Sequence, residues 1–490
     1  MKTTRNEPGS GHHPIVLAHP LLPWIVGFLG LAMFAWSLLR HQHFGSSALD
    51  LGAYESVFWS LGQRGSLNNS IERMHQWSAH FEVGLLPLWL PYRFFPSVAW
   101  LFALQAACCA SAGLFLERLA RRALGDSRAA LVCAVTMLLT PQFLLAQVDD
   151  FHSITLCALP ISILLCGIDE DRPVLLWTGA WGALLLREQM GLAVIGAALA
   201  WIVVHGGKRF FQAALLSGVG LGVFLAEVHW LIPHFASQGP FRYLAHYQRV
   251  GGSLGAAARL ALSHPLRFGL LLFEGERPIY IWELAHFGLP LIALGFVAPR
   301  KLAWPLLLAT PLLVVQLLAG KKEVWSIHFQ YGAPVVPALT AAVVLAIAWL
   351  YRRSRTQGKL ALAGWLFGTV GMLLPNALTP LTHAGGPLDL AFGRSPRAAA
   401  LSNLLALIPP TASVSAQDGI APHLADRAVI HQWPDGESED RFVALDVDGL
   451  SNNVKNESPA QAAARLRNDP NFRISVDEAG VLLAERIERN

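Results

Sequence analysis

RHQHFGSSALDLGAYESVFWSLGQRGSLNNSIERMHQWSAHFEVGLLPLWLPYRFFP, from Arg40 to Pro96, is the stretch that decides how this chain is understood. It follows the first hydrophobic run directly and sets Asp50, Glu55, Glu72, Glu82 and several histidines between apolar pieces. Ionisable groups gathered beside apolar runs of membrane-spanning length mark a functional site by default. After Asp50, LGAYESVFWSLGQRG spaces Leu51, Tyr54, Phe58 and Leu61 by three, four and three residues. That spacing makes one face of a short amphipathic helix, suited to lie at a membrane surface. Ser46 and Ser47 ahead of it and Gly65 behind it are end signals. Asp50 then stands at the helix N-terminus, as a cap, as a reactive group, or as both.

The rest of the chain agrees with a membrane setting. Of 490 residues, 53% are hydrophobic and 14% charged, with a mean hydropathy of +0.43. A soluble chain carries about 25% charged residues, so a soluble assembly of domains is excluded. Besides the run Leu21 to Leu39, apolar runs fall at 97–117, 129–147, 153–168, 174–186, 189–205, 210–232, 283–298, 302–319, 331–350 and 360–378. They predict a polytopic α-helical membrane protein of about eleven spans, over 21–380. The segment 265–273 reads as a half-span or interfacial helix. The first run ends in RHQH, without a small-residue cleavage site, which favours a retained span over a signal peptide. All five cysteines lie in apolar runs without metal-ligand spacing, so they are packing residues. No basic stripe with interleaved aromatics is present, which argues against nucleic acid.

Orientation comes from the short loops. ERLARRALGDSR (Glu117 to Arg128), DEDRP (Asp169 to Pro173), GGKR, APRK and YRRSRTQGK are rich in Lys and Arg, which places them in the cytoplasm with residues 1–20. The first loop, 40–96, and the long loop 233–282 then face outward, together with QVDDFH, the REQ turn and GKKEVWSIHFQ. Lys321 and Lys322 run against the rule. On this topology Asp50, Glu55, His80, Asp149, Asp150, His152, Arg187, Glu188, Lys321, Lys322 and His328 share one outer face. After Pro380 the pattern changes. ASVSA, RAVIHQW, RFVALDV, FRISV and VLLAERI alternate with the helical RAAALSNLLALI and SPAQAAARLRN, predicting a small α/β domain over 390–490, outside the cell membrane.

Each polar cluster has a plain and a chemical meaning. Asp149 and Asp150 offer carboxylates suited to Mg²⁺ or Mn²⁺, and with His152 they equally suit hydrogen bonds to a sugar or a helix cap. Arg187 and Glu188 either close a helical hairpin as an ion pair or offer a guanidinium fork to a phosphate. Lys321, Lys322, His328 and Tyr331 neutralise a phosphate at the lipid surface or contact anionic headgroups. Neither HExxH, a Walker loop nor a nucleophile elbow is present, so nucleotide chemistry has no visible site.

LDLGAYESVFWSL, HFEVGLLPLWLPYRFFP, DDFHSITLCALPISILL and LREQMGLAVIG, with PPTASVSAQDGIAPHLADRAVIHQWP in the tail, resemble the membrane proteins called domain of unknown function 2079. That family is similar to the GT-C glycosyltransferases, membrane enzymes that use lipid-phosphate-linked sugars. The resemblance implies a GT-C-like fold and a polyprenyl-phosphate-linked sugar as donor. Asp50 becomes the general base in the first outer loop, and Arg187 with Lys321 or Lys322 faces the leaving phosphate. Glu55, His80, His152, Glu188, His328 and Tyr331 are then substrate-binding candidates, and Asp149 with Asp150 a candidate site for Mg or Mn. Sugar and acceptor stay open. A transporter or flippase is the rival; such proteins place charges near the midplane on broken helices, often in repeated halves, and no repeat is seen here.

Overall fold

The computed structural model describes residues 17–236, 239–285, 303–373, 396–449 and 457–487. The chain is mostly helical, with a small mixed sheet near its C-terminus. Among the described residues four helices are long and apolar enough to cross a membrane: Leu22–Gln42 (α1), Val98–Leu124, Gly207–Phe235 and Val336–Arg353. Ser127–Leu139 and Pro141–Val148 form a fifth as a bent pair. Other apolar runs fold as shorter helices. Pro173–Leu184, at 12 residues, reaches about 18 Å, well under a 30 Å hydrocarbon core. The expected span over 283–298 and the boundary near 380–390 lie mostly outside the described residues, as do residues 1–16. Side chains such as Trp24, Phe28 and Leu31 on α1 and Phe210 and Phe211 on a later helix point outward, 64–80% exposed, as lipid-facing groups do.

Local signals set the turns. Gly125, at φ +65°, closes Val98–Leu124, and the Asp126 carboxylate caps the next helix by accepting from Arg128 N and Ala129 N. Pro141 supplies no N–H and holds Thr140 extended (φ −61°, ψ 133°), so the pair bends by 56°. The bend delivers Asp149 and Asp150 beneath the first loop. Helices Ala158–Asp169 and Pro173–Leu184 touch at Gly179, where a Cβ would lie 2.6 Å from the Pro160 carbonyl oxygen; only a small residue allows that approach.

Because the helices reverse direction, polar residues collect at two ends. One end holds the first loop, Asp149–His152, Arg187–Glu188 and 319–331. The other holds Glu117–Arg128, Asp169–Pro173, Gly206–Arg209 and Arg352–Arg355, tied by pairs such as Arg122 with Asp169 (2.7 Å) and Tyr351 with Asp126 (3.0 Å).

The C-terminal sheet comprises β3 (Val414–Ala416), β4 (Ile430–Gln432), β5 (Phe442–Asp446), β6 (Phe472–Glu478) and β7 (Val481–Arg486), after a short hairpin β1–β2 (Asn68–Asn69, Met74–His75) in the first loop. The order is β4-β3-β5-β7-β6, with β3 parallel to β4 and β5, and β7 antiparallel to β5 and β6. Both faces are covered, and β5 is buried at every position, as its apolar run suits. Helix Pro459–Asn468, with a Ser458–Gln461 capping box, packs Ala462 and Leu466 against Val443, Leu445 and Leu482. On the other face, helix Pro396–Leu407 shares a core with Phe44, Ala48 and Ile71 of the first loop. First loop and sheet therefore fold as one packed unit.

Candidate functional site

Asp50 sits in a π-helical turn, Ala48–Gly52, that runs into α2 (Ala53–Arg64). Gly65 ends α2 in the left-handed region, φ +63°, as the sequence suggests. The expected surface helix differs in its burial: every residue from Leu51 to Phe58 is buried. Leu51, Tyr54 and Phe58 enter the helical core, while Gly52 lies against Ile71 and Pro422. The C-terminal domain covers the flank that a membrane-surface helix would leave in water.

The turn is capped from a distance. Asp418 Oδ1 accepts from Ala48 N (2.8 Å) and Ser47 Oγ (3.1 Å), doing for this turn what a local Ser or Asp does elsewhere. The Asp50 side chain makes no cap of its own. Its Oδ1 meets His152 Nε2 at 2.8 Å, and His152 Nδ1 meets the Asp150 carbonyl oxygen at 2.9 Å. Both ring nitrogens face acceptors, so the imidazole satisfies both only as the doubly protonated cation. Burial lowers the His152 pKa, but Asp50 outweighs it and raises it above the ordinary value. Burial pushes Asp50 upward, but His152, Arg40 and Lys321 outweigh it and hold the carboxyl below the ordinary range. Asp50 is 37% exposed where His152 is 6%. It is the open carboxylate of a closed network.

Below it, Arg40 pairs with Asp150 and stands 3.3 Å from Asp149. Ser47 N donates to the other Asp150 oxygen at 2.6 Å. Gln105 bridges the strand of chain between them, donating to the Asp150 carbonyl and accepting from His152 N. The sequence suggested a divalent cation here. Arg40 takes that electrostatic place, both Asp150 oxygens are engaged, and among the described residues no three His, Cys, Asp or Glu groups are arranged to hold a metal. Asp149, 24% exposed, is the more open carboxylate of the pair.

One residue beyond His152, Ser153 joins a second cluster. Glu82, 1% exposed, accepts from Tyr54 Oη (2.8 Å), Gln76 Nε2 (3.1 Å), Arg187 Nη1 (2.9 Å) and Ser153 Oγ. Arg187 keeps a buried Nε without a partner, and its pKa is raised because Glu188, Tyr54 and Glu82 outweigh burial. Glu188 binds His80 at 3.1 Å. Burial would raise its carboxyl, but His80 and Arg187 outweigh that and hold it at about 2. His80 stacks on Tyr243, ring centres 4.6 Å apart. Lys321 is exposed and within electrostatic reach of Asp50, as is Tyr331, which also feels Arg187. Beside Glu188 and Gln189 opens an apolar cavity of about 210 Å³ lined by Leu192, Phe224, Leu254 and Leu318.

Three candidates lie elsewhere. Glu55 turns to Tyr92 (2.6 Å), with its other oxygen buried and unpartnered, and burial pushes it up to about 8. Lys322 pairs with Glu276, and with His328 it lines a separate cavity of about 170 Å³. Conversely, Arg40, Tyr54, Glu82, Gln105 and Asp418 belong to the network and were not singled out as site residues from the sequence. Only Arg40 and Glu82 carried a signal there, as charges at a span end and inside the first loop.

The comparisons agree with this architecture. The chain belongs to the family described as Predicted membrane protein (DUF2079), whose model matches residues 40–483. No curated protein matches it. Among solved structures it is similar to ArnT from Cupriavidus metallidurans bound to undecaprenyl phosphate, at 13% identity and a TM-score of 0.57, over 96% of this chain and 99% of that one. The apo structure of that protein matches over the same shares, at 14% identity and the same TM-score. The chain is thus a membrane protein of that family with an ArnT-like fold.

Proposed function

We propose that this protein transfers a sugar from a polyprenyl-phosphate carrier to an acceptor hydroxyl, with Asp50 as the general base. The observation that carries the proposal is Asp50 itself: a half-open carboxylate, fixed by an imidazolium on one oxygen, at the rim of a buried ionic network with an apolar cavity beside it. The fold shared with a protein bound to undecaprenyl phosphate suggests the carrier class.

In the proposed reaction the acceptor oxygen attacks the anomeric carbon as the bond from that carbon to the phosphate oxygen breaks. The acceptor proton passes to Asp50, and the phosphate leaves on its lipid. A carboxylate held below its ordinary pKa is a weak base at rest. The proton becomes acidic only as the new bond forms, so transfer is late, and the exposed Lys321 and the spare donors of Arg187 stabilise the departing anion. The isoprenoid chain lies in the apolar cavity. No step is routed through a metal, and turnover unchanged by EDTA or added Mn²⁺ is the corresponding expectation. The excess of Lys and Arg in the short loops at the opposite end supports placing that end in the cytoplasm and the Asp50 end outside the inner membrane.

Asp50→Asn tests the proposal. With purified protein and a panel of polyprenyl-phosphate sugars, the variant is expected to lose at least about 10³-fold in turnover, about 4 kcal/mol of barrier, at an unchanged melting temperature. Full transfer by a folded Asp50→Asn protein would falsify the assignment.

A further inference from the structure

A larger polar cavity, about 620 Å³, lies on the flank of α2 opposite the helical core. Ser56, Trp59, Ser60 and Arg64, at helical spacing on α2, form one wall. The β1–β2 hairpin forms a second and the C-terminal domain, at Arg427 and His431, a third. Backbone closes the corners: Ser70 N donates to Ser56 Oγ (3.1 Å) and Ile430 N to Ser70 Oγ (3.0 Å).

Four arginines line this space, Arg64, Arg73, Arg242 and Arg427, and among the described residues no carboxylate does. Arg73 and Arg242 have partners in Glu439 and Glu72. The other two lack a carboxylate partner among the described residues. Arg64 packs over Trp59 at 5.5 Å. Arg427, 5% exposed, donates to the carbonyl oxygens of Leu424, Pro409 and Ala412. Arg427 is buried with only carbonyl oxygens and the neighbouring Asp426 to offset its charge, which is costly, while the exposed Arg64 keeps its fork free for a carboxylate or phosphate. The remaining lining is of another kind: the exposed amide of Asn68, several serine hydroxyls, and the Phe235 ring stacked on His75 at 4.6 Å. Amides and hydroxyls for hydroxyl groups, with aromatic faces for C–H surfaces, are what a sugar ring needs. Ser56 is six residues from Asp50, roughly 9 Å along the helix. Glu72, paired with Arg242 at 3.0 Å, also feels the charge of Asp50, so cavity and base are within electrostatic reach of one another.

We propose that this cavity binds an anionic saccharide and is the acceptor site of the reaction. The word acceptor rests on the transferase reading above; the binding chemistry does not. The test measures binding to full-length protein in nanodiscs by calorimetry, with two probes of one size. One is a tetrasaccharide of alternating glucuronate and N-acetylglucosamine, the other uncharged chitotetraose. The acidic probe is expected to bind at least about tenfold more tightly, and Arg64→Glu, at an exposed position, to weaken it by a similar factor. Asn68→Asp gives the same weakening if Arg64→Glu disturbs folding. Asp50→Asn leaves acidic-probe binding intact while abolishing transfer. Equal binding of the two probes, no binding of either, or binding indifferent to both cavity variants overturns the proposal. Transfer by wild-type protein that does not bind the acidic probe overturns this proposal alone, whereas transfer by Asp50→Asn overturns the reaction and not the site.

Discussion

The two polar ends of the helical bundle are built from the same residue types and use them in opposite ways. At the end carrying Glu117–Arg128 and Asp169–Pro173, the arginines reach solvent even where the carboxylate, as at Glu117 and Glu170, is buried: Arg118 is 34% exposed, Arg121 21% and Arg122 48%. At the Asp50 end the ions are closed in. Arg187 and Glu82 are 8% and 1% exposed, Arg40 and Asp150 8% and 2%. Exposed pairs are screened and weak, so the first end does little but fix charge. Buried ions without an opposite charge destabilise the fold, so the second end holds its charges only as an interlocked set of pairs. Asp50, the most open carboxylate of that set at 37%, is then held in position by everything behind it.

The largest effect expected from that contrast is at Glu82. Glu82→Ala leaves Arg187 buried without its direct carboxylate partner, and leaves Tyr54 and Ser153, hydrogen-bonded to each other at 3.1 Å, with one donor between them unsatisfied. A loss of 3–5 kcal/mol is expected, about the cost of breaking a buried pair, seen as a large drop in melting temperature in detergent and a poor yield of folded protein. A Glu82→Ala protein that melts like wild type would erase the difference between the two ends.

Next in size is His152. Asp50 is held below the ordinary carboxylate pKa of about 3.9 and His152 above the ordinary imidazole value of about 6.5. Activity that needs the ionised Asp50 and the imidazolium should fall on the acid side below about 4 and on the alkaline side above about 6.5. The stability of the pair follows the same window. Asp50's contribution is lost as pH falls through its folded pKa, and that of His152 is lost as pH rises through its own. His152→Gln is expected to lower kcat by about 10² and to remove the alkaline limb. An alkaline limb that survives in the variant would show that another group titrates there.

Much of this was legible in the sequence, for definite reasons. The five strands and two helices of the C-terminal domain were expected as segments because each is short, apolar and bounded by turn residues. α2 and its end at Gly65 were expected because the spacing of Leu51, Tyr54 and Phe58 is local. What escaped is non-local. Asp418 lies 370 residues from Ala48, and nothing in either segment announces the other. The amphipathic pattern of α2 gives an apolar face suited to a membrane surface, but Leu51, Tyr54 and Phe58 of that face enter the helical core instead; periodicity cannot say what either face meets. Arg40 ends an apolar run, where the pattern marks only a boundary, although its charge goes to Asp149 and Asp150.

Asp418 carries a smaller, separable effect. Asp418→Ala removes the acceptor for Ala48 N and Ser47 Oγ, and the lost cap is expected to cost about 1–2 kcal/mol. Because that turn aims Asp50, kcat should also fall, up to about 10²-fold, with KM for the donor unchanged. Asp418→Asn, which keeps a carbonyl oxygen in place, should restore most of the loss. A purely structural cap would lower the melting temperature and leave kcat alone, so the split between the two readouts shows whether the C-terminal domain positions the base.

The smallest effect belongs to the other end. Arg122→Ala breaks a 2.7 Å pair with Asp169, but the arginine is half in solvent, and 0.2–1 kcal/mol is the expected scale. A double-mutant cycle with Asp169→Asn should give a coupling in that range that shrinks further at 1 M salt, where the Debye length falls to about 3 Å. The same cycle on Glu82 and Arg187 should give a coupling that salt hardly changes, since neither group meets the solvent that carries the ions. If the two couplings match in size and salt dependence, burial is not what separates the ends. If they differ as expected, the arginines near Asp169 matter through their number and placement, which bias insertion, and the ions near Asp50 matter through their partners.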